Sequence, residues 1–318
     1  MERITVWVDL LYKLCTKQKT QKAEASSSDN ESELRLTDLL KSPAEALSTG
    51  KYESLYKVKV DNFNGGKTVV VKRIKKLLPL SGHDFIKKMK TLRQAKHPYV
   101  LSPLAFYCQR PEKYQVQEEL LIYEFQENGS LFKLLQGKSE GFDWSSRLGI
   151  AAMIAEGLTF MHQEVGEKLG IAHGNLKSSN IWLSSNMEAR ISEYGLMDPD
   201  DDQLNSSSSS SPSGSEAPNA LKEDVYGFGV ILLELLTGKL GNIDGIDLAE
   251  WVQSVVREEW TGEVFDKELI ISDPSNEERL VNLLQVAIKC VHCSPEARPS
   301  MNQVALMINT IREEEEKS

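Results

Sequence analysis

The residues best suited to chemistry cluster between positions 171 and 181. His173 is followed four residues on by Lys177 and three after that by Asn180, with Gly174, Asn175 and Leu176 between. The cluster lacks a carboxylate. An ionised carboxyl group can accept the proton of an attacking hydroxyl, whereas the neutral amide of Asn175 is not a useful base near pH 7. Two other stretches bear on the same chemistry. Residues 68–72 form a β-branched run ending in Lys72, and residues 191–195 place Glu193 and Tyr194 before a glycine.

The spacing is that of the protein-kinase catalytic loop, H-R-D-L-x-x-x-N, with Asn175 where the catalytic aspartate belongs. Over residues 36–312 the chain resembles the intracellular kinase domain of plant leucine-rich-repeat receptor-like kinases, in the branch whose members often carry a degenerate catalytic loop. The resemblance implies an α+β, two-lobed protein-kinase-like fold, with a small β-rich N-lobe and a large helical C-lobe.

It also assigns roles. Lys177 would touch the transferred phosphate, and Asn180 and Glu193 would be the metal ligands. Glu193 stands where D-F-G has its aspartate and is one methylene longer, so Mg²⁺, which demands near-ideal octahedral geometry, should bind more weakly. Gly174 replaces the arginine that commonly receives an activation-loop phosphate. Asp224 would brace the loop, and Tyr123 falls at the gatekeeper position. Lys72 matches the nucleotide lysine of V-A-I-K.

The partners of Lys72 are degraded. Of the glycine-rich loop over ATP only Gly50 survives; Tyr52 adds bulk, and Glu53 places a carboxylate beside where the phosphates would sit. Glycines serve there because backbone amides can approach phosphate without a Cβ in the way. The helix over about residues 83–95 should offer Lys72 a glutamate, but the match puts Lys90 there. Two ammonium groups ~4 Å apart repel by about 4 kcal/mol at an effective dielectric near 20, so they will not be held together. A slip of one turn offers Ile86, Lys87, Thr91 or Arg93, and no acid.

These groups need a scaffold, and the rest of the chain supplies one. Residues 48–57 read as a β-hairpin, 119–125 as the hinge strand, 144–162 as a scaffold helix, and 224–238 as a helix apolar nearly all round and therefore buried. A-P-E becomes Ala217, Pro218, Asn219, only a few residues before that buried helix, so the peptide-substrate platform reads as truncated. Arg298, which would normally pair with the missing glutamate, is left unpaired or reassigned.

The organisation expected is a disordered, basic N-terminal tail over residues 1–35, an N-lobe over 36–126, a C-lobe over 127–312 and a charged tail over 313–318. A Ser-rich, acidic activation loop over 198–216 reads as solvated or as a phosphoacceptor tract. The 318 residues are 40% hydrophobic and 26% charged, an ordinary globular balance. A net charge of −10 argues against nucleic acid as a partner. Four cysteines fit a reducing compartment, and Cys290 with Cys293 read as helix-end cysteines rather than a zinc or redox pair. No run reaches the ~18 apolar residues of a membrane span, which the resemblance turns into a soluble receptor-derived form or an incomplete gene product. Lys13, Lys17, Lys19 and Lys22 leave peripheral contact with the inner face of the plasma membrane open beside a plain solvated tail.

Losing a general base costs about 10²–10⁴-fold against a typical kinase rate of roughly 1–100 s⁻¹, and the other losses come on top. The expectation is a cytoplasmic, catalytically inactive receptor-like kinase domain. It would need no cofactor, bind ATP with Mg²⁺ weakly if at all, and act as a scaffold or allosteric partner of active receptor-like kinases or other signalling proteins. The alternatives are a weak, atypical ATP-binding Ser/Thr kinase and a truncated, non-functional receptor remnant.

Overall fold

The structure, a computed structural model, describes residues 36–49, 53–61, 66–76, 82–108, 117–137, 142–196, 216–243, 245–257, 263–272 and 276–317. The N-terminal tail, Gly50 with Tyr52, and the Ser-rich segment through residue 215 lie outside the described residues. The chain divides into two compact units. The first runs to Lys96 and resumes over Ser102–Phe125; the second takes His97–Leu101 and everything from Gln126 onward.

The first unit is built on alternation. After a short helix α1 (Leu36–Lys41) come β1 (Ala44–Thr49), β2 (Glu53–Val60) and β3 (Lys67–Lys76), then helix α2 (Gly82–Gln94) and strands β4 (Ala105–Cys108) and β5 (Gln117–Glu124). The strands form one antiparallel sheet in the order β1-β2-β3-β5-β4. Along β2 every second residue is buried: Ser54, Tyr56, Val58 and Val60. Tyr56, Val58 and Val60 join Val69, Val71, Leu120 and Ile122 on one face, and Leu39 of α1 closes the cluster. Each fully buried aliphatic side chain there contributes roughly 1.5–3 kcal/mol. Because side chains alternate, the opposite face carries Glu53, Leu55, Val70, Lys72, Ile74, Leu121 and Tyr123. The hydrophobic pattern thus fixes the register that presents Lys72 away from the core.

The second unit is mainly helical. Helix α3 (Leu131–Gln136) is capped by the Ser130 hydroxyl, and α4 (Trp144–Met161) by Asp143, whose carboxylate accepts from Ser146 N at 2.9 Å. A π turn over His162–Gly166 ends α4. The hairpin β6 (Ile181–Leu183) and β7 (Ala189–Ile191) follows the catalytic-loop segment. Helix α5 (Glu216–Thr237) is central. Its Val225, Phe228, Ile231, Leu232, Leu233, Leu235 and Leu236 are all buried, as its all-round apolar sequence requires. Arg147 ties α4 to it, donating to Leu235 O at 2.8 Å and to Asp266 Oδ2 at 2.7 Å. Short strands β8 (Asn242–Ile243) and β9 (Ile246–Asp247) precede α6 (Leu248–Arg257), α7 (Lys267–Ser272), α8 (Glu277–Cys290) and α9 (Met301–Glu316). A reciprocal capping box between Ser300 and Gln303 starts α9.

One sequence expectation needs adjusting. The A-P-E-like residues 217–219 do not form a separate segment before the buried helix; they are the first turn of α5 itself. Pro218 is tolerated there because the first helical turn has no intrahelical partner for its missing N–H. Residues 313–316, read as a charged, fraying helix end, are the last turn of α9, with Arg312 to Glu316 and Lys317 to Glu313 paired one turn apart. Among the described residues no helix is long and apolar enough to cross a membrane.

Candidate functional site

In the first unit Lys72 lies on β3 opposite Leu55 of β2 and Leu121 of β5. Its side chain is only 5% exposed, and its Nζ sits 2.7 Å from Glu53 Oε2. Glu53 opposes Ile74, so it is the diagonal neighbour of Lys72 on the same face, within reach of two long side chains. A buried ammonium needs a counter-charge, and here β2 supplies one.

On helix α2 the single acid, Asp84, falls in the first turn, and from there to its end the helix carries Lys87, Lys88, Lys90 and Arg93. Lys90 is exposed, while Met89 and Leu92 are buried. Lys88 is partly buried. Tyr123 is buried on β5 opposite Val70, on the Lys72 face. Gly50 is not among the described residues.

In the second unit the loop from His173 to Asn180 is fully braced. Buried Asp224 of α5 accepts from the backbone N–H of His173 at 2.7 Å and of Gly174 at 2.9 Å, and meets His162 Nε2 at 3.0 Å. Gly227 makes this approach possible: a Cβ there would lie 2.7 Å from Leu176 O. His173 Nδ1 accepts from Asn175 N at 3.2 Å, so Nε2 carries the proton and donates to Ser192 O at 2.9 Å. Burial lowers the pKa of His173 against the opposing pull of the Asp224 and Glu193 carboxylates, which fits this neutral tautomer. The Tyr194 ring packs edge-on against His173, with centroids 5.6 Å apart, and its hydroxyl donates to Ile171 O at 3.1 Å. Burial raises the Tyr194 pKa, so it remains a phenol donor.

Within this frame Asn175 is half-buried and Lys177 exposed. Asn180 is buried, and its amide nitrogen donates to Asn175 O at 2.8 Å, leaving its Oδ1 as the atom that could face a cation. Glu193 is held at φ +64°, in the left-handed region that costs a non-glycine residue roughly 1–3 kcal/mol. An amide oxygen and a carboxylate are the hard donors Mg²⁺ prefers. Among the described residues no cluster of three or more His, Cys, Asp or Glu could hold a metal. Cys290 is buried at the end of α8 and its thiol is pushed up to about 12 by burial, while Cys293 is exposed.

Sequence reasoning did not identify three contacts. Arg298 is reassigned: its Nη1 lies 2.7 Å from Glu223 and 3.0 Å from Lys222 O, and its Nε donates to His292 O at 2.9 Å. Glu234 of α5 is buried beneath the loop, between the Ser178 hydroxyl and the Gly241 N–H, and burial raises its pKa to about 7. The Lys72–Glu53 pair is the third. The signals were present in the sequence: Glu223 lies one helical turn after Asn219, and Glu53 is in diagonal register with Lys72.

A five-stranded antiparallel sheet carrying a buried lysine, and a helical unit whose central helix braces an H-x-N-x-K-x-x-N loop, define a protein-kinase domain. The family model of protein tyrosine and serine/threonine kinases matches residues 42–308, and the chain belongs to this family. It is 39% identical over 297 residues to a probable inactive receptor kinase from Arabidopsis thaliana, across 87% of this chain and 44% of that protein. The chain therefore spans less than half the length of that relative. Among solved structures it is similar to the pseudokinase domain of BIR2, an immune regulator of the RLK/Pelle family (TM-score 0.73, 26% identity, 96% of this chain and 94% of that one). It is also similar to the kinase domain of maize SIRK1, sucrose-induced receptor kinase 1, bound to AMP-PNP (TM-score 0.75, 29% identity, 91% of this chain and all of that one).

Proposed function

We propose that this is a catalytically inactive receptor-like kinase domain that works by binding other signalling proteins, as a scaffold or allosteric partner of an active receptor-like kinase. One observation carries the reading. Asp224 accepts from the backbone N–H groups of His173 and Gly174 at the head of the loop, yet Asn175 stands in the position of the base. A degraded remnant would have no reason to keep a buried, doubly hydrogen-bonded aspartate under a loop that has lost its chemistry. Catalysis is missing while the architecture is intact, which is what selection for partner binding leaves behind.

Supporting observations point the same way. Lys72 is engaged by Glu53, α2 carries no acid after Asp84 in its first turn, and the peptide-platform residues are absorbed into α5. The similarity to a relative named as inactive and to the BIR2 pseudokinase domain supports the reading. The similarity to SIRK1 bound to AMP-PNP keeps a weak nucleotide interaction in view, with Asn180 and Glu193 as the residues that would hold Mg²⁺. The setting proposed is the cytoplasm, at or near the inner face of the plasma membrane, with ATP not required.

The test is stoichiometric. Purified chain is added to the kinase domain of an active plant receptor-like kinase, and complex formation is followed by size-exclusion chromatography alongside the partner's phosphotransfer rate. The reading predicts a defined complex and a change in the partner's rate that saturates at a fixed molar ratio. Absence of any complex across a panel of such kinases, with the chain melting cooperatively, would contradict it.

A further inference from the structure

We propose that Glu53 is an internal stand-in for phosphate: it occupies Lys72 and thereby decides that this chain rejects ATP. The proposal deepens the reading above and rests on its assignment of Lys72 as the nucleotide lysine.

The Lys72 side chain is 5% exposed, and its Nζ lies 2.7 Å from Glu53 Oε2. A lysine buried to this degree needs a counter-charge. On α2, Lys87, Lys88, Lys90 and Arg93 fill the turns after Asp84. Both neighbouring strands place a carboxylate diagonal to Lys72 on its face, buried Glu119 on β5 and Glu53 on β2, and Glu53 lies 2.7 Å from the ammonium. The pair therefore replaces the helix-derived ion pair and uses the same ammonium that a nucleotide phosphate would need.

An incoming phosphate meets two obstacles at one atom. It must displace a carboxylate already bonded to Lys72, and, if Glu53 stays nearby, it must lie beside a like charge. Glu53 is fixed on a paired strand, so its contact with Lys72 costs no translational freedom, whereas a diffusing nucleotide must give up its own. The discrimination is against the phosphate group and not the base: nothing in the pair touches an uncharged nucleoside. Glu53 is 56% exposed at its side chain, so its replacement leaves the sheet core undisturbed.

The test is ATP binding to the full chain by calorimetry, with and without Mg²⁺, for wild type, Glu53→Gln, and Glu53→Gln combined with Lys72→Met. Adenosine serves as the phosphate-free control. Glu53→Gln should bind ATP at least roughly tenfold more tightly than wild type, equal to about 1.4 kcal/mol. Lys72→Met should remove that gain, and adenosine should not distinguish the three proteins. Equal ATP affinity in wild type and Glu53→Gln overturns the proposal, as does a gain that adenosine shares or that survives Lys72→Met. Glu53→Ser repeats the comparison with a short side chain, and a cooperative melt of either variant makes its result decisive. Phosphate transfer by the wild-type chain would instead sink the inactive-kinase reading, so the two failures read out separately.

Discussion

Glu223 lies 2.7 Å from Arg298, one helical turn beyond Asn219 on the same helix. The acid that should meet this arginine is lost at position 219 and replaced at 223. Folding keeps the contact; only its position in the chain has moved.

The stability of Arg298 variants should reflect this. Arg298 is 6% exposed and also serves the carbonyls of His292 and Lys222, so Arg298→Ala should destabilise by about 2–4 kcal/mol in urea unfolding. Glu223→Ala should cost only about 1 kcal/mol, because its side chain is 59% exposed and the carbonyl contacts remain. Asn219→Glu, which restores the family residue, should stay within about 0.5 kcal/mol of wild type.

Asp224 should be the least replaceable carboxylate in the second unit. In Asp224→Asn one acceptor oxygen becomes an NH₂ group facing N–H donors from His173, Gly174 or His162. Unfolding measurements should show a loss of about 2–4 kcal/mol. Hydrogen exchange at the amides of residues 173 and 174 should rise with it. An unchanged midpoint would mean that the loop does not depend on this brace.

Glu234 gives a pH dependence. Burial raises its pKa from 4.5 to about 7, against the opposing effects of the Ser178 hydroxyl and the Gly241 N–H. The folded chain therefore keeps a proton that the unfolded chain releases between these values. Stability should fall as pH rises through this window, by about 3 kcal/mol in all, and flatten above it. Glu234→Gln should abolish the slope in chemical denaturation at a series of pH values. A wild-type stability that rises across this window would contradict the assignment.

Restoring the base should not restore the enzyme. Asn175→Asp returns a carboxylate to a well-braced loop, but Lys72 remains bonded to Glu53 and α2 still carries no acid after its first turn. Single-turnover assays should find less than about 1% of an ordinary kinase rate, which is roughly 1–100 s⁻¹.

The sequence was most legible where a motif and a period agree. The His173–Asn180 spacing and the buried helix follow from residue types and regular spacing, and the resemblance to kinases put Asp224 under the loop. The β-branched run ending in Lys72 marked its strand, and the face Lys72 takes follows from the register of that strand with β2. Pairings between side chains were less legible. That Glu53 turns to Lys72 depends on strand register and burial together, and the sequence suggested only a carboxylate near the phosphates. Helix registers without an anchoring acid are also ambiguous: Lys88 and Lys90 differ by two positions, and only the buried Met89 and Leu92 show which face of α2 is inward. The merging of residues 217–219 into α5 was hidden because a short connection can equally be a loop or more helix.

The most direct measurement is phosphate transfer by the purified chain. It would be incubated with Mg²⁺ and labelled ATP, with a generic Ser/Thr substrate, and compared with an active receptor-like kinase domain and with Lys72→Met. The account predicts incorporation at the level of the no-enzyme blank, into both substrate and chain. Incorporation above that blank which Lys72→Met abolishes would contradict it and make this chain a working, if atypical, kinase.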